Sequence, residues 1–243
     1  MMKPRARRVT WLGHATVLIE IGDVRLITDP VLRDRVAHLR RQVPTPRDPG
    51  RVDAVLISHL HHDHLDRPSL RRFAGAVAVA PVGIGKLLSG MDVREVRVGD
   101  TVAIADVTVE AVPAWHDGRR RPGPGALDLD TLGFLTDGIW FAGDTELDPA
   151  MEDLRGRVDV ALIPIWGWGP SLGPGHIDPA DAAKVVELVR PRIAIPIHWG
   201  TFLPIGLGKR HARVLTEPPL AFASHAGAMT RVETIAPGGS LDV

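Results

Sequence analysis

Residues 53–66 read Asp-Ala-Val-Leu-Ile-Ser-His-Leu-His-His-Asp-His-Leu-Asp, and this stretch decides how the rest of the chain is interpreted. The apolar run that ends at Ser58 predicts a buried strand. Four potential metal ligands then follow within six positions: His59, His61, Asp63 and His64. Imidazole and carboxylate ligands suit zinc and related divalent ions. A strand that leads into such a loop predicts a metal site, and the competing interpretation is a solvated His-rich loop.

The composition is that of a globular protein with a sizeable core. The chain has 243 residues, of which 44% are hydrophobic and 24% charged, and this length suits one large α/β domain or two small ones. Lys+Arg and Asp+Glu both number 29, so no basic excess points to a nucleic-acid partner and none is expected. Cysteine is absent, which excludes disulfides and leaves His, Asp and Glu to hold any metal.

The sequence predicts a cytoplasmic protein without a transmembrane segment. No apolar run reaches the length of about 18 residues that a membrane span needs. The basic N-terminus is followed by an apolar stretch, Val9–Ile21, which superficially resembles a signal peptide. However, this stretch contains Trp11, His14 and Glu20 and no small-residue cleavage site follows it, so it is better interpreted as a strand. The oligomeric state is left open.

Strand and helix signals alternate along the chain. Short strands are predicted at 8–12, 16–21, 24–28, 53–58, 77–80, 93–113 with a hairpin at Ala105-Asp106, 132–136, 139–142, 158–163, 192–197 and 231–235. Helices are predicted near 68–73, 81–88, 148–154 and 218–228, and the clearest helix at Asp178–Arg190, where Asp178 is a good N-cap before Pro179. Residues 31–51 are rich in Arg and Pro and predict a surface excursion with at most a little helix.

These signals predict the layers of the fold. Two strand-rich halves, each accompanied by helices, favour two sheets packed face to face with helices outside, an α/β (α+β) architecture. No segment has the composition of a linker between independent domains, so residues 1–243 are predicted to form a single domain.

Three further ligand candidates each follow a predicted strand: His116, Asp144 and His198. Strand ends gather at one edge in layered α/β folds, so residues remote in sequence can converge there. Together with the loop at 59–64 they make seven ligands. That number is too large for one tetrahedral zinc and suits two metals about 3.5–4 Å apart.

Several motifs together resemble the metallo-β-lactamase superfamily. The His-x-His-x-Asp-His loop with His116, Asp144 and His198 matches its signature. The stretches 9–18, 28–30, 141–145, 176–179 and 197–202 are similar to the branch that contains N-acyl phosphatidylethanolamine-hydrolysing phospholipase D and L-ascorbate-6-phosphate lactonase. The resemblance spans nearly the whole chain and implies a four-layer αββα sandwich, with two packed mixed β-sheets flanked by helices.

The resemblance also assigns roles to residues. It places His59, His61 and His116 on one zinc ion and Asp63, His64 and His198 on a second, with Asp144 bridging both. His62 falls between ligand positions and is expected to point away. Mn²⁺ or Fe²⁺ are alternatives, because geometry and availability decide as much as ligand type. His176 is expected to contact the substrate or its leaving group, and Asp63 to relay a proton, so both are candidate catalytic residues.

The predicted function is that of a binuclear zinc hydrolase. Two zinc ions lower the pKa of a bridging water and supply hydroxide at neutral pH. The resemblance favours a phosphodiester as substrate, within a small-molecule or lipid-like class. Two alternatives stay open: a lactonase that acts on a phosphorylated sugar lactone, and a metal-stabilised binding module without turnover. Asp29 is the first candidate for holding one of the imidazoles in place, and the competing interpretation is an aspartate that caps a turn. Several neighbouring residues are left without a settled role: His14, Trp166, Trp168, Arg119, Arg120 and Arg121.

Overall fold

The structure is a computed structural model that describes residues 5–88, 90–119, 127–208 and 211–243. The strands of the first half are β1 (Arg7–Gly13), β2 (Thr16–Ile21), β3 (Val24–Thr28), β4 (Arg35–Val36), β5 (Leu39–Arg41), β6 (Ala54–Leu56), β7 (Val77–Pro81) and β8 (Asp92–Val96). Those of the second half are β9 (Thr101–Ile104), β10 (Val107–Pro113), β11 (Leu132–Thr136), β12 (Ile139–Phe141), β13 (Val160–Pro164), β14 (Ile193–Ile197), β15 (Phe202–Pro204), β16 (Arg231–Val232) and β17 (Ser240–Asp242). The α-helices are α1 (Arg67–Leu70), α2 (Pro179–Val189) and α3 (Glu217–Ala226).

Two mixed seven-stranded sheets form the centre of the fold. The first has the order β17-β1-β2-β3-β6-β7-β8 and the second β16-β14-β13-β12-β11-β10-β9. Each sheet has an antiparallel part and a parallel part. The parallel strands are β3, β6, β7 and β8 in the first sheet and β12, β13, β14 and β16 in the second. Parallel strands end at the same edge of a sheet, and this edge carries the predicted ligands.

Apolar side chains fill the space between the sheets and beneath the helices. The largest cluster joins residues of both sheets, such as Trp11 and Trp140, to α2 and α3. A second cluster packs the outer face of the first sheet against α1 and its neighbouring loops. The predicted α2 stripe of Ala182, Val185, Val186 and Val189 is buried throughout, and Asp178 caps this helix by accepting from Ala180 N at 2.8 Å. The predicted α/β sandwich of two mixed sheets with flanking helices is confirmed.

Some local predictions are wrong. Residues 81–88 form no α-helix, because Pro81 ends β7 and only a 3₁₀ turn follows at Gly85–Leu87. The short helix predicted near 148–154 is present, as the 3₁₀ helix Pro149–Leu154. The excursion at 31–51 contains β4 and β5, which pair with β15 in a third, three-stranded sheet. None of the helices in the described ranges is long and apolar enough to cross a membrane.

A core substitution tests the packing between the sheets. Phe134 lies in β11, is 1% exposed and belongs to the largest cluster. We expect Phe134→Ala to lower the free energy of unfolding by about 3–5 kcal/mol, because it removes buried apolar surface and leaves a cavity. Leu220→Ala on α3, where the side chain is 72% exposed, should change it by less than about 0.5 kcal/mol. Urea denaturation measures both, and equal values would contradict this packing.

Candidate metal centre

The predicted ligands follow strands of both sheets. His59 comes three residues after β6, His116 three residues after β10, Asp144 three residues after β12, and His198 directly after β14. Asp144 follows Gly143, whose φ is 66°. A Cβ at Gly143 would lie 2.8 Å from the Leu132 carbonyl oxygen, so only glycine fits this turn without a shift of the backbone.

One group of potential ligands consists of His59, His61, His116 and Asp144. His61 Nδ1 lies 3.0 Å from His59 Nε2 and 3.0 Å from His116 Nε2. Asp144 Oδ2 is 3.9 Å from each of those two Nε2 atoms. Four ligands about 2.0–2.1 Å from a tetrahedral zinc ion lie about 3.3 Å from one another, so the spacing of this group suits such an ion.

A second group contains Asp63, His64 and His198, and His14 lies with them. His64 Nε2 and His198 Nε2 are 3.1 Å apart, and Asp63 Oδ2 is 3.9 Å from each of them. These separations resemble those of the first group. The structure thus brings all seven predicted ligands together in the two sets that the resemblance implies, and His62 belongs to neither set.

Asp144 faces both groups at once. Its Oδ2 lies 3.1 Å from His64 Nε2, and its Oδ1 lies 3.1 Å from His198 Nε2. Oδ1 is buried and has no hydrogen-bond partner. His198 Nδ1 donates to the Trp166 carbonyl at 2.9 Å, so in a neutral ring the Nε2 atom that faces Oδ1 is also an acceptor. Two buried acceptors in contact are unfavourable unless a cation lies between them, and the residues therefore fit a metal ion.

The protonation states of Asp144, His59 and His198 favour metal binding, whereas that of His64 opposes it. Burial alone would raise the pKa of Asp144, but the positive charge of His64 and the contact with His176 hold that pKa well below its usual value. Burial lowers the pKa values of His59 and His198 well below normal, which keeps both rings neutral. Burial would also lower the pKa of His64, but Asp144 and Asp29 raise it well above normal. A metal ion that binds His64 therefore displaces a proton.

Asp29 supports one histidine of each group. It follows β3, is fully buried, and its Oδ2 accepts from His64 Nδ1 at 2.7 Å. The same carboxylate accepts from Ser58 N at 2.8 Å and from Ser58 Oγ at 2.5 Å, and Ser58 Oγ lies 2.8 Å from His59 Nδ1. Asp29 also forms a third group of potential ligands with His59 and His64. Because both of its oxygens already accept hydrogen bonds from Ser58 and His64, these contacts suit a residue that orients the two histidines. The role of Ser58 escaped sequence analysis, although its position directly before His59 was a signal.

Removal of the Asp29 charge should weaken metal binding. We expect Asp29→Asn to lower metal affinity by roughly 10–100-fold, because the hydrogen bond that orients and polarises His64 loses its charge. Competition with a chromophoric chelator measures the affinity. Asp23→Asn, at an exposed position in the turn between β2 and β3, serves as the control and should leave it unchanged. An unaltered affinity in Asp29→Asn would contradict the orienting role.

His176 lies at the edge of the centre. Its Nε2 is 3.4 Å from Asp144 Oδ2, its Nδ1 donates to the Pro174 carbonyl at 3.1 Å, and its side chain is 21% exposed. Burial would lower the pKa of His176, but the contact with Asp144 raises it above its usual value. The ring of His176 also contacts that of His116, whose Nδ1 donates to the Gly175 carbonyl at 2.6 Å.

The four tryptophans near the site differ in their surroundings. Trp199 stacks on Trp11 in the core at a centroid distance of 5.1 Å, and Trp115 packs against the same core. Trp168 lines a mostly apolar cavity of about 150 Å³ together with Leu172 and His176. Trp166 lines a separate cavity beside Pro179 of α2 and Pro218 of α3. Of these four tryptophans, Trp168 is therefore the one that lines a cavity together with His176.

The loop that follows His116 is polar. Arg119 is exposed and forms a salt bridge with Asp117 at 2.8 Å. Its guanidinium is therefore already paired, as expected for a solvated loop. Arg120 and Arg121 lie outside the described residues.

Comparison with known proteins identifies the family. A family model described as a beta-lactamase superfamily domain matches residues 24–199. The chain belongs to the metallo-β-lactamase superfamily. It is 35% identical over 210 residues to a UPF0173 metal-dependent hydrolase of Methanopyrus kandleri, an alignment that covers 82% of this chain and 86% of the relative. The prediction of a metal-dependent hydrolase is thereby confirmed at the level of enzyme class.

Two further similarities concern the branch and the fold. The chain is 33% identical over 235 residues to N-acyl-phosphatidylethanolamine-hydrolyzing phospholipase D 1 of Caenorhabditis elegans. This alignment covers 81% of this chain and 64% of that protein. Igni18, a metallo hydrolase of Ignicoccus hospitalis, superimposes with a TM-score of 0.75 at 21% identity and covers 98% of both chains. The structural similarity supports the fold, and the sequence similarity supports the predicted branch.

Proposed function

We propose that residues 1–243 form one binuclear zinc-dependent hydrolase domain that acts on a phosphodiester. The observation that supports the proposal is the position of the Asp144 carboxylate between the two groups of potential ligands. One of its oxygens, Oδ1, is buried and has no hydrogen-bond partner. His59, His61 and His116 would hold one ion, Asp63, His64 and His198 the other, and Asp144 both. Histidine and carboxylate ligands without cysteine suit zinc, and Mn²⁺ or Fe²⁺ would fit the same donors.

The protein residues would complete the chemistry around the ions. Two divalent ions held by these residues would lower the pKa of a bound water and polarise the substrate oxygen. His176 is positioned to give a proton to the leaving oxygen, because the Pro174 carbonyl holds its Nδ1 and the contact with Asp144 raises its pKa, which favours the protonated ring. Asp63 is the proposed proton relay, since its Oδ2 already accepts a hydrogen bond from His14 at 2.9 Å.

Similarity to a phospholipase D favours a phosphodiester over a lactone as the substrate. The Caenorhabditis elegans relative is a phospholipase D, whose reaction breaks a phosphodiester bond. The alkoxide that leaves in such a reaction needs a proton, which His176 would supply. The apolar cavity that Trp168 and Leu172 line beside His176 suits an apolar group on the leaving side. We therefore expect a small-molecule or lipid-like phosphodiester as substrate.

Metal counting and a substrate panel test the proposal. The full-length protein is freed of metal, reloaded with Zn²⁺, and assayed with bis(p-nitrophenyl) phosphate, glycerophosphodiesters and a series of lactones. We expect about two ions per chain, hydrolysis of phosphodiesters, and loss of that hydrolysis with a chelator. Activity on lactones alone would overturn the phosphodiester assignment in favour of a lactonase. A protein that binds both ions and hydrolyses nothing would instead be a metal-stabilised binding module.

A further inference from the structure

A buried histidine outside the seven predicted ligands touches the candidate centre. His14 follows β1 directly, is 1% exposed, and its Nε2 lies 2.9 Å from Asp63 Oδ2. A carboxylate oxygen without a proton can only accept hydrogen bonds, and Asp63 Oδ2 is the partner of His14 Nε2. His14 Nε2 is therefore the donor in this contact.

The backbone holds His14 in an unusual conformation. Its φ is 55°, and Gly13 before it has a φ of 104°. A residue other than glycine adopts this left-handed conformation at a cost, and it persists only where the surrounding contacts hold it. Here the main-chain N–H donates to Thr201 Oγ1 at 2.7 Å, and the carbonyl accepts from Trp11 Nε1 at 2.8 Å and from His198 N at 3.0 Å. The turn that presents the ring to Asp63 is thus fixed on both sides.

The His14 ring itself is also confined. It lies on the ring of His198 with a centroid distance of 3.8 Å and an interplanar angle of 35°. Phe202 contacts it edge-on at 5.2 Å. The ring cannot turn away from Asp63 without disturbing His198, so the hydrogen bond to Oδ2 is enforced by packing.

The contact gives Asp63 the kind of support that the histidine ligands of its group receive elsewhere. His64 Nδ1 is held by Asp29 at 2.7 Å, and His198 Nδ1 by the Trp166 carbonyl at 2.9 Å. Asp63 Oδ2 lies 3.9 Å from the Nε2 atoms of both histidines. A carboxylate can rotate about its bond to Cβ, and a donor fixed at 2.9 Å limits that rotation.

We propose that His14 is a positioning residue that orients Asp63. This orientation tightens the binding of one ion by Asp63, His64 and His198. It leaves the binding of the other ion by His59, His61 and His116 unaffected. This inference rests on the proposed two-metal function. His14 touches neither the first group nor the substrate in this assignment, and acts through Asp63.

Two substitutions separate the hydrogen bond from the packing. The side-chain amide nitrogen of Gln can take the place of His Nε2, whereas that of Asn reaches only to the place of Nδ1. Asn tolerates a positive φ well. His14→Asn should therefore fold but lose the bond to Asp63, and His14→Gln should restore the donor.

The test is a Co²⁺ titration of the metal-free, full-length protein, followed by visible absorption and by chelator competition. For His14→Asn we expect the affinity for one of the two ions to fall by roughly 10–100-fold, with the other unchanged and the thermal unfolding of the metal-free protein close to that of the wild type. His14→Gln should bind both ions with affinities within about threefold of the wild-type values, a much smaller change than that expected for His14→Asn.

Three results would overturn the proposal. Unchanged affinities in His14→Asn would show that Asp63 needs no support from His14. Equal losses in His14→Asn and His14→Gln would point to packing of the ring, and equal weakening of both ions would point to a general structural effect. A wild-type protein that takes up a single ion would overturn the two-metal function itself, and this proposal with it.

Discussion

Asp144→Asn should abolish hydrolysis while the protein still folds. In the proposed centre Asp144 is the carboxylate that both ions share, and its Oδ1 is a buried acceptor without a hydrogen-bond partner. An amide of the same shape carries no charge and puts an NH₂ group where one carboxylate oxygen was, so it can serve at most one ion. A loss of roughly 4 kcal/mol in transition-state stabilisation corresponds to a fall in kcat/KM of about 10³-fold.

Kinetics and metal counting check this prediction together. We expect Asp144→Asn to retain at most about one ion per chain, because its single, uncharged amide oxygen cannot serve both ions. Asp153→Asn, which changes an exposed residue of the 3₁₀ helix Pro149–Leu154, is the matched control and should keep wild-type activity. If Asp144→Asn bound two ions and turned over normally, the shared-carboxylate assignment would be wrong.

His176→Gln should lower kcat without removing metal. Its Nε2 lies 3.4 Å from Asp144 Oδ2 and its side chain is partly exposed, which is where a leaving group could reach it. Loss of a general acid costs about 10²–10⁴-fold. The cost depends on the leaving group, because a p-nitrophenolate departs without a proton whereas an alkoxide does not. We therefore expect a large effect on glycerophosphodiesters and a small one on bis(p-nitrophenyl) phosphate.

The comparison of the two substrates decides the role of His176. Metal content measured on the same preparations should match the wild type. His225→Gln on α3, an exposed histidine, should leave both activities unchanged. An equal loss on both substrates would argue against proton donation and for a role in binding, and a loss of metal would make His176 part of the centre.

The strand pattern and the ligand types could be predicted because they depend on local sequence. The alternation of β1 to β3, the hairpin between β9 and β10 and the cap of α2 by Asp178 all rest on residues within a few positions of one another. The His-rich loop after β6 was recognised in the same way. Its grouping into two ligand sets came from the family resemblance, and the structure brings together the same sets.

Contacts between distant segments could not be predicted. β15 pairs with β5 although more than 160 residues separate Phe202 from Arg41, and β17 pairs with β1 across nearly the whole chain. Such pairings depend on which edges remain open once the two sheets have formed. The three-residue strands involved also carry too little periodicity to be detected.

The sequence by itself determined which side chains could bind metal, the strands that precede them and the family to which the chain belongs. The tertiary structure decided what supports those side chains. It gave Asp29, a candidate already named from the sequence, its partners His64 and Ser58, and it placed His14 against Asp63 and Trp168 beside His176. The physical reason is that a ligand is recognised by its chemical type, whereas its support depends on distances and hydrogen-bond directions that exist only once remote strand ends have met at one edge of the sandwich.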